Sequence, residues 1–107
     1  MTTRPWRQEV ELLQNYPRHK TFTYTTPADT DAHDAVVLAG NMEECNKVSF
    51  IVEAADAYIE FDSDATTSSM LIPANEGYFD DSVWFGTKIS IKAVSGQPRI
   101  RGILWGR

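Results

Sequence analysis

The chain has 107 residues, enough for one domain that buries roughly two-thirds of the surface its unfolded form exposes. Its formal net charge of −5 argues against a general nucleic-acid binder, which needs a continuous basic face, and no stretch approaches the ~18 apolar residues of a membrane span. Cys45 is the only cysteine, which excludes an intrachain disulfide and fits a reducing compartment, and the start lacks the apolar run of a signal peptide.

The distribution of charge says more than its sum. Residues 21 to 87 carry thirteen carboxylates against Lys47 alone, whereas residues 88 to 107 carry five cations and no acid. The simpler reading is that the terminal strand lies beside acidic strands and cross-strand pairs compensate. The sharper one is that an end of the chain reaches an acidic partner.

Residues 1–20 do not alternate and form an N-terminal arm; residues 21–107 form the β domain. Pro5 suits a first helical position, and Trp6, Val10 and Leu13 recur at i, i+4, i+7, so Pro5 to Asn15 reads as a short helix ended before Pro17. The apolar set Trp6, Leu12, Leu13 and Tyr16 then packs either on its own domain or on a neighbour.

Thr21 to Thr26 alternates threonine with Phe22 and Tyr24 and stops at Pro27, a short strand. A polar loop leads into Ala35-Val36-Val37-Leu38-Ala39, a buried strand closed by a turn at Gly40-Asn41. Residues 47 to 61 are the organising stretch. Val48, Phe50 and Val52 share one face of a first run, Ala57, Ile59 and Phe61 one face of a second, and the two runs read as paired antiparallel neighbours. Asp62 to Ser69 is a polar loop, Met70 to Pro73 a short strand, and Asn75-Glu76-Gly77 a turn. Val83-Trp84-Phe85 is a further extended piece, Lys88 to Val94 alternates cleanly, and Arg99 to Trp105 closes the chain with Arg99 and Arg101 opposite Ile100 and Leu104. About eight short strands with regular turn signals make an all-β fold, an antiparallel β-sandwich or jelly roll.

Chemistry-bearing constellations are sparse. Asp29, Asp31, His33 and Asp34, with Asp62 and Asp64, hold carboxylates at i, i+2 spacing, but the glycine and glutamate of a twelve-residue calcium loop are missing, so a turn-forming loop without a metal is expected. There are two histidines, one thiol, and neither a Gly-x-Ser-x-Gly turn nor a His-Glu-x-x-His helix; no enzyme and no cofactor are expected. Nothing beside Cys45 would lower its pKa. Tyr58, Tyr78, Phe79, Trp84, Phe85 and Trp105 read first as core, with Trp84 or Tyr78 beside Asp80 and Asp81 as a sugar-stacking alternative.

The run Ala57-Tyr58-Ile59-Glu60-Phe61, then Ala65-Thr66-Thr67, then Ser69-Met70-Leu71-Ile72-Pro73-Ala74, then Gly86 to Gly96 with its Gly-x-x-Ile-Ser strand, resembles small virion proteins of tailed bacteriophages. Among these, capsid decoration or cement proteins suit the size and the absent chemistry. The resemblance implies a protein on the capsid surface of a virion, made in the host cytoplasm, that bridges major capsid subunits, self-associates as a dimer or trimer, and binds neither nucleic acid nor membrane. It places the partner contact on the arm, at Arg4, Trp6, Arg7, Leu12, Leu13 and Tyr16, since Trp and Arg often dominate interfaces. The alternatives are a tail or neck component, a glycan-binding receptor module, and a non-viral β-sandwich adaptor.

Overall fold

A computed structural model of the chain describes residues 18–39 and 42–107. The expected arm up to residue 17, with its helix and its six contact residues, and the turn at Gly40-Asn41 fall outside the described residues, while Arg18, His19 and Lys20, expected as the end of the arm, already belong to the first strand. Eight strands run in the order β1 (Arg18–Thr25), β2 (Ala32–Val37), β3 (Cys45–Glu53), β4 (Ala57–Phe61), β5 (Met70–Ile72), β6 (Glu76–Asp80), β7 (Lys88–Ala93) and β8 (Arg99–Gly106). They form two four-stranded antiparallel sheets, β1-β8-β3-β6 and β2-β7-β4-β5.

This order is that of a jelly roll. A long hairpin would pair β1 with β8, β2 with β7, β3 with β6 and β4 with β5, and all four pairings are present. Rolling that hairpin up adds the contacts of β8 with β3 and of β7 with β4, which close the two sheets. Every connection but the one from β4 to β5 therefore crosses between sheets.

The roll corrects one expectation. The two runs of the organising stretch, now β3 and β4, are not paired neighbours; they sit in opposite sheets with their apolar faces turned towards each other. A hairpin needs the chain to reverse in the sheet plane. Here Ala54 adopts φ 77° and the chain crosses the sandwich, with the Asp56 carbonyl accepting the Val94 N–H from the β7 end. The expected turn at Asn75-Glu76-Gly77 is also shorter than read, because Glu76 and Gly77 already belong to edge strand β6.

The core lies between the sheets. Three inward rows cross the first sheet in register: Lys20–Leu104–Val48–Asp80, Phe22–Gly102–Phe50–Tyr78, and Tyr24–Ile100–Val52–Glu76. Opposite them, Ile89, Ile91, Ile59, Ala57 and Ile72 line the second sheet, and Leu38 fills the space beyond β2. Phe61 stacks on Phe85 at 4.7 Å between ring centroids, which closes one end. Cys45 is fully buried at this end, where its backbone bridges to Phe85. Burial of an apolar side chain of this size is worth about 1.5–3 kcal/mol, so the two facing rows of isoleucine and valine carry the stability of the fold.

The segregated charges compensate across strands, as the simpler reading expects. Glu53 of β3 accepts from Arg99 and Arg101 of β8, each at 3.0 Å, and Arg107 pairs with Glu44. Lys88 of β7 lies between Asp34 and Asp64.

Candidate functional site

The outer faces of the two sheets are built differently. On the β2-β7-β4-β5 sheet the segment after β4 folds back over the strands. Ala65 is buried there, and its N–H donates to the buried Ser90 Oγ at 2.9 Å. Ser69 Oγ donates to Glu60, and Lys88 reaches Asp64 from the sheet. Asp62 anchors the start of this cover by accepting the N–H groups of Gly86 and Thr87 at 3.1 and 2.7 Å. A polar loop thus occupies the centre of that face.

Among the described residues, the outer face of the β1-β8-β3-β6 sheet has no such cover and carries apolar side chains across its middle, whereas the exposed Val37 and Leu71 of the other sheet lie apart on its edge strands β2 and β5. Its rows read His19–Trp105–Lys47, then Thr21–Ile103–Ser49–Phe79, then Thr23–Arg101–Ile51–Gly77, then Thr25–Arg99–Glu53. Phe79 is 60% exposed and Ile51 40%, while Ile103 and Trp105 are half-buried beside them. The Lys47 ammonium stands 5.5 Å from the Phe79 ring centroid and 4.9 Å from that of Trp105. Ring quadrupoles of this kind attract a cation and hold it over a surface that is otherwise apolar. The result is an aromatic and aliphatic strip with Lys47 at one side and the Arg99–Glu53–Arg101 cluster at the other. Such a surface suits a protein partner: rigid rings bury large area at little entropic cost, and flanking cations give orientation.

The aromatics expected in the core divide. Phe85 is buried and Tyr78 packs on the core, where its hydroxyl donates to Asp80 at 2.9 Å. Phe79 and Trp84 instead are exposed, Trp84 by 67%. Sequence reasoning missed Lys47, Ile51, Phe79, Ile103 and Trp105 as one surface. The signal was parity: Ile103 and Trp105 share a strand face with Arg99 and Arg101, and Ile51 shares one with Lys47 and Ser49.

The other candidate groups are engaged within the fold. His33 bonds Asp29 at 2.7 Å, and this bond, with the Asp31 N–H, holds the Asp29 carboxyl below its ordinary value. Burial pushes the Cys45 thiol up to about 11, and its Sγ donates to the Lys47 carbonyl. Among the described residues no group of three or more His, Cys, Asp or Glu side chains converges to hold a metal ion. An open cleft of about 390 Å³ lies between Ala28–Thr30 and Val94–Gln97 at one end of the roll, and its one carboxylate is the Asp29 already bonded to His33.

Comparison of the chain with protein-family models, with curated proteins and with solved structures finds no match, so the functional reading rests on the face itself.

Proposed function

We propose that this chain is a bacteriophage virion structural protein, a decoration or cement protein that stabilises the head by bridging major capsid subunits. The observation that carries the proposal is the outer face around Phe79, Ile51, Ile103 and Trp105, with Lys47 held against two of its rings. The function is binding, with no bond made or broken. The jelly roll agrees with it, since that architecture recurs in viral capsid and lectin domains, although a fold hosts many functions.

The stretches that carry the resemblance to phage virion proteins build β4, β5, β7 and the loop over them. They form the scaffold, and the contact face lies on the other sheet. The arm enters β1 at Arg18, one residue before the row His19–Trp105–Lys47. On this reading Arg4, Trp6, Arg7, Leu12, Leu13 and Tyr16 add to the contact, because a standard interface of ~800 Å² per partner needs more than one strip of a small sheet.

The test is to mix heads stripped of this protein with three forms: the full chain, a chain lacking residues 1–16, and a Phe79→Ser variant. The full chain should bind, both variants should bind more weakly, and all three should melt as folded β domains. Attachment that survives both changes refutes this surface. One observation favours a second reading as a glycan-binding receptor module: Trp84 presents an exposed ring a few residues beyond Asp80. Saccharide binding that Trp84→Ala abolishes would support that reading, and a blank glycan array would dispose of it.

A further inference from the structure

Among the described residues, the contact sheet ends in two strands of opposite charge. β1 carries His19 and Lys20 at one edge, and β6 carries Glu76 and Asp80 at the other. Three antiparallel steps separate them, so β1 and β6 run in opposite directions. A second copy placed beside the first in the same orientation would therefore bring its β6 antiparallel to β1. We infer that β1 of one copy pairs with β6 of the next, head to tail, so that the sheet continues from one molecule into another.

Register and hydrogen bonding agree with this junction. Extending the inward rows sets Asp80 of the second copy beside Lys20, Tyr78 beside Phe22, and Glu76 beside Tyr24. One opposite-charge pair and one aromatic pair result, both of the kind that stabilises neighbouring strands. Thr26 N–H donates to the Pro98 carbonyl at 3.0 Å, in step with the β1–β8 register. Antiparallel residues alternate between bonding towards a neighbour and away from it, so Thr21 and Thr23 point their backbone groups outward. The same alternation, carried across β8 and β3, leaves Gly77 and Phe79 pointing outward from β6. Those are the residues that the row register sets opposite each other.

Charge also selects against the symmetric alternative at the acidic edge. Two β6 strands paired about Tyr78 would set Glu76 against Asp80 twice, whereas β6 against β1 meets Lys20. A head-to-tail contact is heterologous, so it closes as a ring or propagates. Terminal strands of a sheet are templates for strand addition, and a five-residue ladder makes the association weak and salt-sensitive.

The experiment uses the full chain and light scattering after gel filtration at concentrations up to about 1 mM, the range of a weak contact. Thr23→Pro removes an outward N–H from β1, and Phe79→Pro removes one from β6; neither costs a ladder bond within the molecule. Wild type should associate, each variant alone should be monomeric, and an equimolar mixture should give a species of two chains and nothing larger. That last result follows because only the β1 of one variant and the β6 of the other remain usable. Lys20→Glu gives an independent check that leaves the backbone intact, with association about tenfold weaker at low salt. The inference is overturned if wild type stays monomeric. It is equally overturned if Phe79→Pro associates like wild type, if the mixture stays monomeric, or if Lys20→Glu changes nothing.

Discussion

Gly102 is the position where the packing of this roll is most sharply tested. It lies in β8 between Phe22 of β1 and Phe50 of β3, where the row has space for two rings and no third side chain. A Cβ at Gly102 would stand 2.1 Å from the Ser49 carbonyl oxygen and 2.5 Å from the Phe50 Cβ. Both atoms belong to the backbone or its first branch, so no side-chain tip can swing aside. β8 and β3 must separate, which adds the loss of a ladder bond, about 1 kcal/mol, to an overpacking cost of about 1–3 kcal/mol. Gly102→Ala should thus destabilise by about 3 kcal/mol, a large part of the ~5–15 kcal/mol that holds a domain. For a domain of this length the melting temperature should fall by roughly 12 °C or more. Gly77→Ala is the control, because a Cβ there meets only the Phe50 carbonyl oxygen at 3.4 Å, an ordinary contact. The assay is thermal unfolding by circular dichroism of both variants beside wild type. If Gly102→Ala melts within a few degrees of wild type, or no lower than Gly77→Ala, the close approach of β8 to β3 is wrong.

Alkaline stability should depend on Cys45. Its thiol ionises near 9.0 when the chain is unfolded and near 11 in the buried site, so the unfolded state holds fewer protons between these values and stability falls as pH rises through that window, by at most about 3 kcal/mol. Melting curves from pH 8 to 11 under reducing conditions should show this slope in wild type and a shallower one in Cys45→Ala; equal slopes refute it. The carboxyls of Asp29 and Asp80 are both held below their ordinary 3.8, so their contribution is complete above that pH and is lost as pH falls through the lower folded-state values. His33→Ala, which removes the first cause at Asp29, should flatten that acid limb, as urea melts below pH 5 would reveal. Ala54, at φ 77°, is strained where glycine is not, and Ala54→Gly should raise stability by about 0.5–1 kcal/mol in denaturant melts rather than lower it. Phe79 is 60% exposed, and burying a side chain of this kind is worth up to about 3 kcal/mol, so Phe79→Ala should weaken attachment to a partner by up to about 100-fold while moving the melting temperature little, as parallel binding and melting assays would show.

How much of this was legible depends on what each residue's neighbours are. Alternation placed β1, β3, β4, β7 and β8 because apolar residues fill the core-facing positions of each, as Val48, Phe50 and Val52 do in β3. The partnership of strands was not legible. β3 and β4 lie three residues apart, a spacing that suits a hairpin, and only the left-handed Ala54 and the closure of the roll send them to different sheets. β6 was read as a turn because its Gly77 and Glu76 match turn chemistry, while a strand at a sheet edge needs little apolar periodicity. The candidate face escaped for a related reason. Large aromatics are counted as core by default, and Phe79 and Trp105 became a surface only once register set them beside Lys47. Conversely, Ala65 and Ser90 carry no signal of burial in sequence, and it is the fold-back of one loop that covers them.

The most direct measurement is the orientation of the protein on a shell. Electron microscopy of stripped heads incubated with the purified chain should show density returning over the seams between subunits, with the β1-β8-β3-β6 face turned inward and Phe79 and Trp105 at the contact. If no density returns, or if the molecule sits with the loop-covered face against the shell, the proposed role of this surface is contradicted.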